Sequence, residues 1–208
     1  NNLSLLDKSG HIENFSRELR NCKLKYPKTY SIQEGPLVSD KRYLFKPVNS
    51  CGGYDISQVT PMKANSYIQE YIDGDAYSCS FIVDDNRFKL LGLNRLLNLN
   101  IHYENNYIHA GVLMTKKRFP ESFYKAIKNL ARILKMRGFN GIDFIFDGND
   151  YYIIDINPRL TSPFFLYNDI SDNELLKGQI VGMYNWEKND YKNKPISGFA
   201  HIFTKDDV

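Results

Sequence analysis

The stretch from Gly141 to Asn157 constrains this chain more than any other. Two β-rich runs, Gly-Ile-Asp-Phe-Ile-Phe (141–146) and Tyr-Tyr-Ile-Ile-Asp-Ile-Asn (151–157), flank the turn-forming segment Asp147-Gly148-Asn149-Asp150, which is the pattern of a β-hairpin. Each run is interrupted by an aspartate, a poor strand former: Asp143 in the first and Asp155 in the second. If the turn is a three-residue loop, Gly148-Asn149-Asp150, residue 147 pairs with 151 and Asp143 stands opposite Asp155, with Asn157 on the same face. A two- or four-residue turn would send Asp143 to the other face. In the three-residue register the two Cβ atoms lie roughly 5 Å apart. Like charges at that distance repel, so the pairing calls for a cation. Two carboxylates and an amide oxygen form a hard donor set, suited to magnesium or manganese held together with phosphates. Arg159, just past Pro158, is placed to meet phosphoryl or carboxylate oxygens. The plainer alternative is a pair of solvated aspartates on an open sheet face, with Arg159 a weak surface partner. The coincidence of Asp143, Asp155, Asn157 and Arg159 favours the cation site.

The surrounding sequence supplies a fold for the hairpin. A chain of 208 residues can bury one sizeable core, or two small lobes that share a cleft. Hydrophobic residues at 42%, charged residues at 25% and aromatics at 14% exclude a disordered tail. A short helix is expected between Leu6 and Cys22, where Ile12, Phe15 and Leu19 follow helical spacing until Tyr26-Pro27 ends it. Arg42–Val48 reads as a strand running into a glycine loop, Asn49-Ser50-Cys51-Gly52-Gly53. Ser66–Ile72, Ala76–Asp84 and Phe88–Asn94 read as further strands of an antiparallel sheet. Between Pro120 and Gly138, the positions Phe123, Ile127, Leu130 and Leu134 share a helical face, with Gly138 suited to a left-handed C-terminal cap. A polar loop follows the hairpin, and then a helix over 172–184. The order is mixed α+β rather than regularly alternating.

Composition also removes partners. The net charge of +3 is spread among interleaved acids and bases, which gives no concentrated basic face for nucleic acid. Cys22, Cys51 and Cys79 lack metal-site spacing and suit reduced thiols, so a cytoplasmic location is expected. No apolar run is long enough for a membrane span. The sequence opens Asn1-Asn2-Leu3 without an initiator methionine, as a fragment or processed chain would.

Gly141-Ile142-Asp143-Phe144 followed by Asp155-Ile156-Asn157-Pro158-Arg159-Leu160-Thr161 resembles the paired metal motif of the ATP-grasp superfamily. The resemblance implies an ATP-grasp fold, with two lobes of antiparallel sheet enclosing a nucleotide cleft: an N-terminal lobe over 1–72 and a metal-site lobe over 73–208. It implies that Asp143, Asp155 and Asn157 bind the magnesium (or manganese) ions bridging the ATP phosphates, and that Arg159 stands near the transferred phosphate. Phe45-Lys46-Pro47 is similar to the strand whose lysine reaches those phosphates, and the loop with Ser50, Cys51, Gly52 and Gly53 to the glycine-rich cover above them. Gln69-Glu70-Tyr71-Ile72 is similar to the hinge that holds adenine through backbone atoms, with Asp73 and Asp75 within reach of the ribose. Lys8 resembles the upstream lysine that approaches ATP, and Arg95 is a candidate contact to phosphate or substrate. Ser50 and Asp55 stand where the family often has glycine.

The resemblance further implies a carboxylate–amine ligase, in the branch that includes tyramine–glutamate ligases. Such an enzyme forms an acyl phosphate and releases ADP and phosphate, so its partners would be small-molecule carboxylate and amine substrates. A homo-oligomer is compatible with this reading. Family members carry a further α/β domain ahead of the region of Lys8, and this sequence is expected to lack it. The alternatives are a non-catalytic or regulatory ATP-binding module, and a kinase-type phosphotransferase.

Overall fold

The apolar runs on either side of Gly74 segregate into two antiparallel sheets. The computed structural model describes residues 1, 3–9, 11–35, 40–48, 52–58, 61, 64–84, 87–99, 107–118, 120–171, 173–181, 184 and 198–200. In chain order these form α1 (Leu3–Lys8), a 3-10 turn (Ile12–Phe15), α2 (Ser16–Asn21), β1 (Thr29–Ser31), β2 (Tyr43–Pro47), β3 (Ser66–Glu70), β4 (Asp75–Asp84), β5 (Arg87–Leu99), β6 (Ile108–Thr115), α3 (Glu121–Ile133), β7 (Gly138–Phe146), β8 (Tyr151–Asn157), α4 (Pro163–Ile170), α5 (Glu174–Val181) and β9 (Gly198–Ala200). The smaller sheet is three-stranded, in the order β1-β3-β2, and the larger six-stranded, in the order β8-β7-β4-β5-β6-β9. Residues Tyr71 to Gly74 carry the chain from one to the other. Gly74 is required there because a Cβ would lie 2.3 Å from the carbonyl oxygen of Phe146.

The larger sheet buries both faces, as the nearly continuous apolar run of β4 demands. Phe81, Phe144, Ile153 and Ile156 face α3, and the next residue along β4, Ile82, faces α4 and α5 beside Phe139, Tyr167 and Leu175. Helix α3 presents Phe123, Ile127 and Leu130 to the first of these cores. Leu5, Ile12, Phe15 and Leu19 join it, so the N-terminal segment packs on the larger sheet, although it precedes the strands of the smaller one. At ~25 cal/mol per Å2, each such large apolar side chain contributes about 1.5–3 kcal/mol of burial.

Several elements differ from the expectation. Leu6–Cys22 is two short helices and a 3-10 turn rather than one helix, although Ile12, Phe15 and Leu19 are buried as their spacing requires. Helix α3 is ended by Lys135, left-handed at φ 51, with the Met136 N–H donating to the Ala131 carbonyl at 2.9 Å. Gly138, expected as that cap, instead opens β7. β5 runs past Asn94 to Leu99, α5 is shorter than 172–184, and β1, β6, β9 and α4 had no strong signal. In β6 the apolar run Ile-His-Ala-Gly-Val-Leu-Met-Thr lacks clean alternation, since a bulge opposite it at Leu97/Asn98 resets the pairing. Among the described residues, no helix is long and apolar enough to cross a membrane.

Candidate functional site

The hairpin brings Asp143 and Asp155 opposite each other, by a route other than the expected three-residue turn. Phe146 pairs with Tyr151, which leaves residues 147–150 as a four-residue turn. Asp147 organises it by accepting the N–H groups of Asn149 and Asp150, each at 2.8 Å. Four residues alone would put Asp143 on the wrong face. A β-bulge between Asp143 and Phe144 then skips Ile154 and restores the pairs Asp143–Asp155 and Gly141–Asn157. The bulge is also what lets Ile153 and Ile156 both enter the core while Asp155 and Asn157 face away from it.

The paired carboxylates lie at the floor of a cleft of about 1130 Å3 between the two sheets. The Asn157 amide bridges them, donating to Oδ2 of Asp143 at 3.2 Å and Oδ2 of Asp155 at 3.1 Å. Burial pushes the Asp143 carboxyl above its ordinary range, and the charge of Asp155 pushes it further; Arg159 and Lys46 pull it back. Burial likewise raises Asp155, opposed by Lys46 and then Arg159. Two cations from different elements therefore act on both acids. Lys46 reaches over from β2 in the smaller sheet, its Nζ 3.3 Å from Oε1 of Gln69 and 5.9 Å from the Tyr67 ring. Arg159 leaves the end of β8, and Lys46 and Arg159 both line the cleft.

The donor chemistry fits a divalent cation. Among the described residues, no third acid, histidine or cysteine joins the pair, so further ligands would come from phosphate oxygens and water, as magnesium prefers. Gln69, 2% exposed, is the second sign of an absent polar partner: its Nε2 is buried without a hydrogen-bond acceptor among the described residues, on the wall of the same cleft.

The remaining expected residues divide into three groups. Gly52, Gly53, Gln69, Glu70, Tyr71 and Ile72 line the cleft with Lys46, Asp143, Asp155, Asn157 and Arg159. In the expected hinge stretch, the Glu70 and Tyr71 N–H groups donate to the carbonyls of Lys28 and Arg42, at 2.8 and 2.9 Å. Ser50 and Cys51 lie outside the described residues. Lys8, Asp75 and Arg95 are not on the cleft. Lys8 is exposed at the end of α1. Arg95 points to the opposite side of β5 from the cleft-lining Leu96 and Asn98, and pairs at 3.1 Å with Asp75, both about half exposed. Asp73 pairs with Arg42 at 3.1 Å at the surface.

Sequence reasoning missed Ser78, Asn98, Tyr107 and His109, which also line the cleft, as does Thr161 from the end of the metal motif. Period-two alternation continued along β5 would have found Asn98. Tyr107 and His109 belong to the unexpected β6 side, where the His109 N–H donates to the Gly52 carbonyl at 2.8 Å. A Cβ on Gly53, φ +77, would lie 1.8 Å from the Tyr107 carbonyl oxygen, so the glycine loop closes onto β6 only through this glycine.

With this geometry in place, residues 13–163 match the family model described as the ATP-grasp domain. The chain belongs to the ATP-grasp family. Its relatives include a tyramine–L-glutamate ligase of Methanocaldococcus jannaschii, 30% identical over 171 residues, an alignment covering 82% of this chain and 49% of the relative. A second enzyme of that name, from Methanocaldococcus fervens, is 30% identical over 144 residues, or 68% of this chain and 43% of the relative. The chain thus spans about half the length of the curated ATP-grasp relatives it matches. Among solved structures, the L-amino acid ligase of Bacillus licheniformis superposes with a TM-score of 0.68 at 12% identity, covering 93% of this chain and 53% of that one. The ADP complex of N5-carboxyaminoimidazole synthetase from Staphylococcus aureus gives 0.65 at 12% identity, covering 84% and 52%. These likenesses show the ATP-grasp fold.

Proposed function

We propose that this chain supplies the nucleotide and metal site of an ATP-dependent carboxylate–amine ligase. The observation that carries the reading is the carboxylate pair Asp143 and Asp155, bridged by Asn157 and faced by Lys46 and Arg159 across one cleft. The relatives named tyramine–L-glutamate ligase support an amide-forming reaction, with a small carboxylate and a primary amine as substrates. In that reaction a carboxylate oxygen attacks the γ-phosphorus of ATP and ADP leaves. The amine nitrogen then attacks the acyl carbon, phosphate departs and the nitrogen loses a proton.

The chain's own part is positioning and charge. Lys46 and the Gly52–Gly53 backbone would hold phosphate oxygens, and Gln69 Nε2 would meet a nucleotide acceptor. Arg159 would bind the phosphoryl group in transfer or the acyl phosphate. Asp143, Asp155 and, with its amide turned about, Asn157 would hold magnesium, which offsets phosphate charge when bound. A cleft of about 1130 Å3 has room for a nucleotide, and the reaction needs no side-chain nucleophile.

The site is tested by Asp155→Asn, which removes charge at nearly constant volume. Magnesium-dependent ATP affinity, measured by calorimetry, is expected to fall at least about tenfold with the fold intact; unchanged affinity would sink the assignment. The reaction is tested in the full-length protein by following ADP, phosphate and amide with panels of carboxylates and amines. Carboxylate-dependent ADP without amide would identify a phosphotransferase, and ATP binding without turnover a nucleotide-binding module.

A further inference from the structure

Polar side chains on the cleft side of the larger sheet fall into two cross-strand rows. In the first, Asn94 on β5 stands opposite Ser78 on β4, Ser78 opposite Asp143 on β7, and Asp143 opposite Asp155 on β8. In the second, Gly92, Ser80, Gly141 and Asn157 follow in the same strand order. The two glycines act as sockets. A Cβ on Gly92 would lie 2.4 Å from the Tyr167 hydroxyl, and one on Gly141 would lie 3.1 Å from Oγ1 of Thr161. Thr161 and Tyr167 both belong to the segment after β8 that carries Arg159. That segment is therefore plugged into the metal-site rows at two points.

The deeper plug is a closed polar network. Tyr167, fully buried on α4, donates its hydroxyl to Oδ1 of Asn94 at 2.8 Å. Asn94, also fully buried, donates Nδ2 to the hydroxyls of Ser78 at 3.3 Å and Ser80 at 3.1 Å. Buried polar groups tolerate few arrangements, because an unmade bond leaves a desolvated donor or acceptor. Apolar contacts, such as Phe164 edge-on to Phe139 at 5.2 Å, also hold α4 to the sheet. The hydrophobic part of such contacts is non-directional. The phenol–amide bond adds a directional constraint on the rotation of α4.

We infer that Tyr167 and Asn94 are positioning residues that set Arg159 over the carboxylate pair, by locking α4 to the row that ends in Asp143 and Asp155. The inference rests on the phosphoryl-transfer reading of the cleft. Arg159 sits between two anchors, the end of β8 and the start of α4, where the Phe164 N–H donates to the Thr161 carbonyl at 2.8 Å. A turn of α4 about its axis is passed back to Arg159, while Lys46 and the hinge, on the other sheet, are untouched.

The test uses the full-length protein, magnesium–ADP as the nucleotide probe, and aluminium fluoride as the mimic of the phosphoryl group in transfer. Wild type, Tyr167→Phe and Gly92→Ala are compared by calorimetry, with thermal melting to follow the fold. Tyr167→Phe is expected to bind magnesium–ADP within about twofold of wild type but aluminium fluoride at least about tenfold more weakly, since misplacement on the order of 1 Å costs up to about 10²-fold. Gly92→Ala, which displaces the phenol from the other side, is expected to do the same. In an Arg159→Met background, Tyr167→Phe should add no further loss, because both changes act on one interaction. Equal loss of both ligands, no loss of either, or a fully additive double variant would each overturn the positioning role. A wild-type protein that binds no magnesium–ADP would instead remove the ATP reading beneath it.

Discussion

Asp143 sits in an environment that opposes its own charge. Its folded-state pKa lies above the unfolded value, first through burial and then through Asp155. For a carboxyl the sign is as follows. Below the unfolded pKa, about 3.9, both states are neutral at this position and there is no penalty. As pH rises toward the folded pKa, the unfolded chain ionises more readily and the folded protein loses stability. Asp143→Asn is therefore expected to raise the melting temperature of the ligand-free protein at pH 7, with the advantage over wild type shrinking toward pH 4. An equal or lower melting temperature for the variant at pH 7 would contradict the assignment. The same substitution should weaken magnesium-dependent ATP binding, separating stability from function at one atom.

Among the elements, α3 ends in a way its sequence does not favour. Lys135, exposed at φ 51, occupies a left-handed position that glycine takes without steric cost, although an Ala131–Met136 bond closes the helix as a glycine cap would. Lys135→Gly is expected to stabilise the protein by about 0.5–1 kcal/mol, read as a higher urea midpoint at unchanged slope. A lower midpoint would show that unfolded-chain entropy outweighs the relieved strain. This helix and the hairpin show how far local sequence reaches. The buried face of α3 was legible from Phe123, Ile127 and Leu130, because helical spacing acts at short range. Its terminus was not, because Gly138 suits both a helix cap and a strand start. The apposition of Asp143 and Asp155 was expected from a three-residue turn that the structure does not have; what produces it is the bulge at Ile154, which was not legible. It arises from a demand of the distant core, that Ile153 and Ile156 both be buried, and turn chemistry does not encode that demand.

On the scale of the whole molecule, the legible part of the site is the part built from contiguous motifs. The 155–159 segment carries the signal, and Lys46 and the 69–72 stretch became candidates only beside it. Arg95 and Asp75 did not reach the cleft, because strand alternation puts Arg95 on the far face and its charge is met there by Asp75. Tyr107 and His109 were hidden because the pairing that brings them to the glycine loop is long-range. A ligand spanning both sheets should stiffen the molecule as a unit. Magnesium–ATP at about 100 times its dissociation constant is expected to add about 2.7 kcal/mol to the unfolding free energy. That corresponds to a rise in melting temperature of roughly 5–10 °C for a chain of this length, cancelled by a chelator. No shift in calorimetric melting would argue against a shared site.

The paired acids at the floor of the cleft also bear on how long the protein lasts. Burial and the charge of Asp155 both oppose ionisation of Asp143, and on the proposed reading a bound cation would relieve that cost, so the ligand-free fold would open more often than the loaded one to proteases, which act on the opened form. On the same reading, a cell depleted of nucleotide would clear this protein faster than a well-supplied one.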